Sequence, residues 1–143
     1  MRLSSLKHLL ETNVGSKRLR GKKILLYGTC VEEKYPDILK DFLKDKEPLH
    51  ICLETFHMDH VGYKLVNIIK YSKIKELTIL TIDGSPHCYQ LHILGQDIIR
   101  HFEPKLKVKH YVIEKGEIFE ISYKTITVSR HLHRVKKLID ENE

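Results

Sequence analysis

Cysteine and histidine lie together in residues 83–88, which read DGSPHC. A β-branched apolar run precedes this segment and apolar residues at helical spacing follow it, which predicts a strand, a tight loop and a helix. Ser85 fits the helix N-cap, and Pro86 fits the first helical position. Cys88 would then lie in the first helical turn, where the helix dipole favours the thiolate that attacks electrophiles or binds metals. We therefore predict Cys88, with its neighbour His87, as catalytic residues.

Other metal-ligating residue types follow two further predicted strands. The carboxyl ends of parallel strands share one edge of a sheet, and ligands bind outside that edge in open α/β folds. Thiolate, imidazole and carboxylate together suit zinc or iron. We therefore predict a zinc, iron or iron–sulfur site at this edge. The predicted ligands are Cys30, Glu54, His57, His60, Cys88 and His92.

The same residues also suit a metal-free thiol mechanism. Cys88 would be the nucleophile, a nearby histidine (His57, His60 or His92) the base, and Cys30 the resolving thiol. Cys52 differs from the other two cysteines because it falls inside a predicted strand. We expect it to be a packed core residue, since free cysteine behaves as a small hydrophobe.

Three small residues at the predicted strand ends, Gly28, Gly84 and Ser85, are the candidate cofactor-binding positions. Neither glycine belongs to a G-x-G-x-x-G or Walker pattern, so a nucleotide fingerprint is absent. The chain also lacks G-x-S-x-G, H-E-x-x-H and C-x-x-C. The signatures of serine hydrolases, zincins and thioredoxin-type oxidoreductases are therefore absent from this chain.

The composition predicts an ordinary globular protein. The chain has 143 residues, of which 41% are hydrophobic and 31% are charged, enough for one domain with a core. No apolar run is long enough for a membrane span, and the N-terminus lacks the features of a signal peptide. Three cysteines do not form a disulfide framework. We predict a cytoplasmic protein with reduced thiols.

Positive charge is concentrated near the N-terminus. Residues 1–23 contain seven basic residues and one acidic residue, which equals the net charge of +6 of the whole chain. Such a segment suits weak, non-specific binding of nucleic acid, or it is a solvated linker. No sequence motif supports the nucleic-acid hypothesis. A further hypothesis, in which the chain is a partner-binding or homo-oligomeric scaffold, has no motif either. The basic residues concerned are Lys17, Arg18, Arg20, Lys22 and Lys23.

Hydrophobic periodicity predicts three strand–helix units in residues 24–103, after an N-terminal helix over residues 3–13 and the basic linker. The predicted strands are 24–27, 50–55 and 77–82. The predicted helices begin at Pro36, near residue 61 with Asp59 as cap, and at His87. Repeated units of this kind indicate a parallel sheet with right-handed crossovers.

Beyond Pro104 the pattern changes to alternation, which predicts an antiparallel hairpin of residues 107–113 and 118–121 at one edge of the sheet. Residues 123–128 would extend this strand structure, and residues 130–139 would form a terminal helix. The fold class we predict is a single α/β domain, residues 1–143, with an open and mostly parallel sheet. Its strand order is left open between the Rossmann-like and the flavodoxin-like arrangement.

Overall fold

The computed structural model describes residues 6–142 and contains one six-stranded sheet. Its strands are β1 (Lys7–His8), β2 (Lys23–Gly28), β3 (Glu47–Ile51), β4 (Glu76–Ile82), β5 (Lys107–Glu114) and β6 (Glu117–Ile121). They lie in the order β1, β3, β2, β4, β5, β6. All neighbouring strands are parallel except β5 and β6, so the predicted parallel sheet with an antiparallel edge hairpin is confirmed.

Six α-helices connect and flank these strands. They are α1 (Cys30–Lys34), α2 (Pro36–Phe42), α3 (Met58–Ser72), α4 (Pro86–Phe102), α5 (Tyr123–Ser129) and α6 (Leu132–Glu141). One core cluster joins the sheet to α3 and α4, and a second joins it to α1 and α2. The central strands are buried on both faces, which explains their continuous apolar sequences.

The order of the central strands decides where a ligand can bind. The chain passes from β2 to β3 on one side and then returns to place β4 on the other side of β2. This is the flavodoxin-like order, in which the connections diverge between β2 and β4. The carboxyl ends of these two strands therefore border the crevice where such sheets bind ligands.

The second strand lies earlier in the chain than predicted. β3 covers Glu47–Ile51 instead of residues 50–55, so Cys52 follows the strand rather than lying within it. Proline is unfavourable inside a sheet because it has no N–H to donate. Pro48 is tolerated here because β1 pairs only with Leu49 and His50, so Pro48 has no neighbouring strand on that side. The next helix accordingly begins at Met58 with His57, not Asp59, as N-cap.

The predicted N-terminal helix is wrong over the residues that the structure describes, and residues 3–5 lie outside them. The chain instead forms β1 and a short 3-10 helix, Leu9–Glu11. The His8 side chain accepts a hydrogen bond from the Leu10 backbone N–H, and the Thr12 hydroxyl donates to the His8 carbonyl. These local side-chain bonds compete with a regular helix.

The predicted strand extension over residues 123–128 is also wrong, because this segment is helix α5. Its β-branched residues favour a strand, but Ser122 caps the helix by accepting a hydrogen bond from the Thr125 backbone N–H at 3.1 Å. Ile126 is buried against the domain, and this tertiary contact outweighs the propensity. The terminal helix α6 is confirmed, with its start at Leu132.

The basic segment lies near the amino end of β2, at the edge of the sheet opposite the carboxyl ends of the strands. Arg18 is already paired with Glu47 at 3.0 Å, and Lys23 lies 3.5 Å from Asp45. Lys17, Arg20 and Lys22 are exposed. Nucleic-acid binding by this segment stays a prediction, and these three exposed cations would contribute most to it.

If the segment binds nucleic acid, replacing Lys17, Arg20 and Lys22 together by alanine should weaken binding of every sequence equally. The slope of log K against log salt concentration should fall by about 3, because each neutralised phosphate releases counterions. Fluorescence anisotropy with labelled duplex and single-stranded DNA would measure this slope. Alanine at three other exposed lysines, Lys40, Lys44 and Lys105, is the matched control. Salt-resistant or sequence-selective binding would contradict the expectation.

Candidate functional site

A cavity of about 450 Å³ opens at the carboxyl edge of the sheet, where β2, β3 and β4 end. All three cysteines of the chain line it. Because the three thiols come from three different strand ends, only the parallel sheet brings them together. The other lining residues are Gly28, Thr29, Lys34, Ile51, Leu53, Glu54, Thr81, Ile82, Asp83, Gly84, Ser85, His87 and Leu91.

Backbone hydrogen bonds fix the loops that border this cavity. The Thr29 N–H donates to the Ile51 carbonyl at 3.1 Å, which joins the end of β2 to the end of β3. The Asp83 N–H donates to the Ile113 carbonyl at 2.9 Å, which holds the end of β4. Gly84 then turns the chain with a φ of 110°, a conformation that side-chain-bearing residues avoid.

The start of α4 has the predicted form. Pro86 occupies the first turn, and the Ser85 hydroxyl accepts a hydrogen bond from the His87 backbone N–H at 3.2 Å. This cap places Cys88 and His87 on the wall of the cavity. Gly28 lies opposite, and a Cβ at that position would be 4.0 Å from the Cys88 sulfur. The three predicted cofactor-binding positions thus lie together at the cavity.

The predicted acidity of Cys88 is wrong. Burial raises the pKa of the Cys88 thiol above its ordinary value, and the neighbouring Cys30 thiol raises it further. Hydrogen bonds from the Ile82 backbone and the Ser85 side chain lower the pKa by less than burial raises it. The prediction counted the helix N-terminus but could not count desolvation, which is a property of the folded surroundings. Cys88 is therefore a neutral thiol at physiological pH, with the Cys30 side chain as its neighbour.

Sequence reasoning missed Cys52 as a site residue. It is half-buried at the cavity, and its carbonyl accepts hydrogen bonds from the Thr55 and Phe56 backbone N–H groups in a tight turn. The signal was present, because a strand that ends before Cys52 puts this thiol at the carboxyl edge like Cys30 and Cys88. The predicted strand ended four residues too late, and this concealed it.

The structure separates the predicted histidine ligands from the cavity. His57 and His60 are exposed at the start of α3 and do not line it. Of the histidines predicted in this region, only His87 lines it. Glu54 lines the cavity with an exposed side chain. The six predicted metal ligands are therefore not brought together as one set, and within residues 6–142 no group of three or more His, Cys, Asp or Glu side chains could hold a metal ion.

His92 is buried against β4 and β5 and does not line the cavity. Its Nε2 lies 2.8 Å from the Thr81 hydroxyl, and its Nδ1 lies 2.9 Å from Nδ1 of His110. Burial lowers the pKa of His92 to about 3, with His110 as the second cause, and burial lowers the pKa of His110 to about 4. Both rings are therefore neutral at physiological pH. Helical spacing from Cys88 was not enough to predict this, because it does not tell over which strand of the sheet a residue lies.

An additional histidine lies near the cavity without lining it. Nδ1 of His50 is 2.9 Å from the Thr29 hydroxyl, and the His8 ring packs edge-on against the His50 ring. Burial lowers the pKa of His50, and His8 lowers it further. The neutral ring orients the side chain of Thr29, which belongs to the cavity wall.

An open α/β domain with the flavodoxin-like strand order and a cavity at its divergence point is an architecture that binds small ligands and cofactors. Residues 16–143 match the family model of the Rossmann-like domain, and the chain belongs to this family. No curated protein and no solved structure matches the chain. Among residues 6–142, none of the helices has both the length and the apolar character needed to cross a membrane.

Proposed function

We propose that the cavity holds a thiolate-ligated metal centre, with Cys30, Cys52 and Cys88 as its ligands and an iron–sulfur cluster as the centre that fits best. The observation that carries this proposal is that all three cysteines, each from a different strand end, line one cavity. Cysteines that serve only as small core residues have no reason to share one surface. Iron–sulfur clusters are held by cysteine thiolates.

The spread of the ligands favours a cluster over a single ion. A structural zinc ion needs four donors at about 2.0–2.3 Å from one point. The described side chains form no such group around one point. A cluster separates its thiolates by its own body, so ligands distributed around a cavity of about 450 Å³ suit it better. Three cysteines leave one ligand position of a four-ligand cluster open. His87, Glu54 or Asp83, which line the same cavity, would fill that position.

The raised pKa of Cys88 also favours a metal centre over free thiol chemistry. A nucleophilic cysteine needs a lowered pKa, whereas burial and Cys30 raise the pKa of Cys88. A metal deprotonates a coordinating thiol outright, so a raised pKa does not prevent ligation. The negative charge of such a centre would be compensated by Lys34, which lines the cavity, and by the N-terminus of α4.

A second candidate function rests on two neighbouring thiols. Cys30 and Cys88 line the same cavity, and Cys30 raises the pKa of Cys88. The pair could act as a dithiol that gives two electrons and two protons to a disulfide acceptor and becomes a Cys30–Cys88 disulfide. This mechanism needs two cysteines and leaves Cys52 without a role, which is how the two candidates are separated.

The test is to purify the protein anaerobically without a histidine tag, reconstitute it with ferrous iron and sulfide, and measure iron, acid-labile sulfide and visible absorption. We expect about one cluster per chain, lost in Cys30→Ser, Cys52→Ser and Cys88→Ser alike. His57→Ala is the matched control, because His57 was a predicted ligand that does not line the cavity. It should retain full iron and sulfide.

Three outcomes would overturn the cluster. The first is a protein that takes up no iron under these conditions. The second is zinc bound in equal amount with the iron site empty. The third is iron retained by Cys52→Ser together with a Cys30–Cys88 disulfide found by mass spectrometry after mild oxidation, which would favour the dithiol mechanism.

A further inference from the structure

Helix α6 presents an apolar stripe that nothing in the described chain covers. Leu132, Leu138 and Ile139 are 80%, 52% and 51% exposed, and none of the residues of α6 is buried. Together with Val135 they lie at helical spacing on one face, and the charged residues lie on the other. An exposed stripe of this kind marks an interaction surface.

The stripe belongs to an ordered part of the fold. The Arg130 guanidinium, just before α6, lies 2.8 Å from the Asp97 carboxylate and donates to the Ile93 carbonyl at 3.2 Å. The Gln96 side chain donates to the Thr127 hydroxyl at 2.9 Å and so holds α5 on α4. These bonds fix α5, and α6 begins only two residues after Arg130. The apolar face of α6 thus follows directly on a segment that is bonded to α4.

The charges on α6 run against the helix dipole. Basic residues stabilise the C-terminus of a helix and acidic residues its N-terminus. In α6 the basic Arg134, Lys136 and Lys137 precede the acidic Asp140 and Glu141. Only Lys136 and Asp140 form an ion pair within the helix. This order of charges lowers the stability of the isolated helix. It is explained if the charges of α6 pair with those of another molecule.

We propose that α6 is an isologous dimer interface that packs antiparallel against α6 of a second copy of this chain. In that arrangement Val135, Leu138 and Ile139 of the two copies cover each other, and the basic first half of one helix faces the acidic end of the other. Arg134 then lies near Glu141 of the second copy, and Lys136 near its Asp140. The two-fold axis makes each of these contacts twice.

A second copy fits this surface better than an anionic membrane does. A lipid surface would attract the lysines and the arginine, but it would repel Asp140 and Glu141 at the end of the same helix. An antiparallel copy uses both signs of charge. The proposal concerns the face of the protein formed by α6 and is independent of the thiol-lined cavity.

The first test measures the mass of the full chain by sedimentation equilibrium across a range of concentrations. We expect a reversible dimer whose Kd rises at least about tenfold in Leu138→Glu, because a charge would be buried in the stripe. Tyr63→Glu is the matched control, since Tyr63 is a 76% exposed residue on α3. It should leave the Kd unchanged, and circular dichroism should show both variants folded.

The second test uses the charge pattern. Arg134→Glu should weaken the dimer, and Arg134→Glu with Glu141→Arg should restore it, because the swapped charges face each other again across the two-fold axis. A membrane or a heterologous partner gives no such restoration. A chain that is monomeric at all concentrations, a dimer unaffected by Leu138→Glu, or α6-dependent flotation with anionic vesicles by a monomer would each overturn the proposal.

Discussion

Lowering the pH from about 7.5 to about 5.5 should reduce the free energy of unfolding by about 3 kcal/mol through two histidines alone. Burial holds the pKa of His92 at about 3 and that of His110 at about 4, against 6.5 for an ordinary histidine. The unfolded chain therefore takes up protons that the folded chain excludes. At pH 5.5, one unit below the pKa of a histidine in the unfolded chain, each of the two histidines lowers the free energy of unfolding by about 1.4 kcal/mol.

The sign and the pH window follow from these values. Because both folded pKa values are depressed, the stabilisation is complete above pH 6.5 and is lost as the pH falls toward 4 and then 3. The pair has no nearby carboxylate partner in its hydrogen bonds, which run to Thr81 and between the two rings. A proton on either ring would be buried without compensation.

Urea denaturation at several pH values would measure the effect. Replacing both His92 and His110 by asparagine should flatten the dependence between pH 6.5 and 5, whatever the change in stability at pH 7.5. His133→Asn is the matched control, because His133 is exposed on α6. A wild-type protein equally stable at both pH values, or a double variant with an unchanged pH dependence, would contradict the expectation.

The second large effect is expected at Gly95, where α4 crosses β4. A Cβ at this position would overlap Cδ1 of Ile79, which is fully buried in the sheet. Overpacking of this kind costs about 1–3 kcal/mol, although alanine is otherwise the better helix residue by about 1 kcal/mol. We expect Gly95→Ala to lower the unfolding free energy by about 1–2 kcal/mol, measured in urea.

A double-mutant cycle isolates the cause. Ile79→Val removes Cδ1, so Gly95→Ala should cost less in that background than in the wild type, by about 1 kcal/mol or more. Gly62→Ala on α3 is the comparison variant, since its Cβ would lie 3.1 Å from Leu94 Cδ1, a milder contact, and should cost less. Equal costs for Gly95→Ala in the two backgrounds would show that the overlap is relieved elsewhere.

The sequence by itself determined the fold class and most of the elements. Hydrophobic runs with β-branched residues identified β2 and β4, because strands buried on both faces have continuous apolar sequences. Capping chemistry identified Ser85 as the N-cap of α4 and Pro86 as a residue of its first turn, since these residues act locally and need no tertiary partner. The alternation after Pro104 identified the hairpin of β5 and β6 in the same way.

Elements decided by tertiary contacts were predicted wrongly. The β-branched residues of α5 favour a strand, but the Ser122 cap and burial of Ile126 make a helix. The leucines near the N-terminus indicated a helix, but pairing of β1 with β3 extends the chain there. The end of β3 is set by its register with β2, in which Ile51 faces Gly28, and no local pattern contains that information.

The candidate site shows the same division. Sequence order and the rule for parallel sheets were enough to place Cys30 and Cys88 at one edge, because topology alone brings strand ends together. Only the tertiary structure added Cys52, separated His57 and His60 from the cavity, and paired His92 with His110 of β5. The pKa of Cys88 was decided there too. The sequence alone reveals the helix N-terminus, which lowers this pKa. The burial that raises it by more exists only when distant segments pack together.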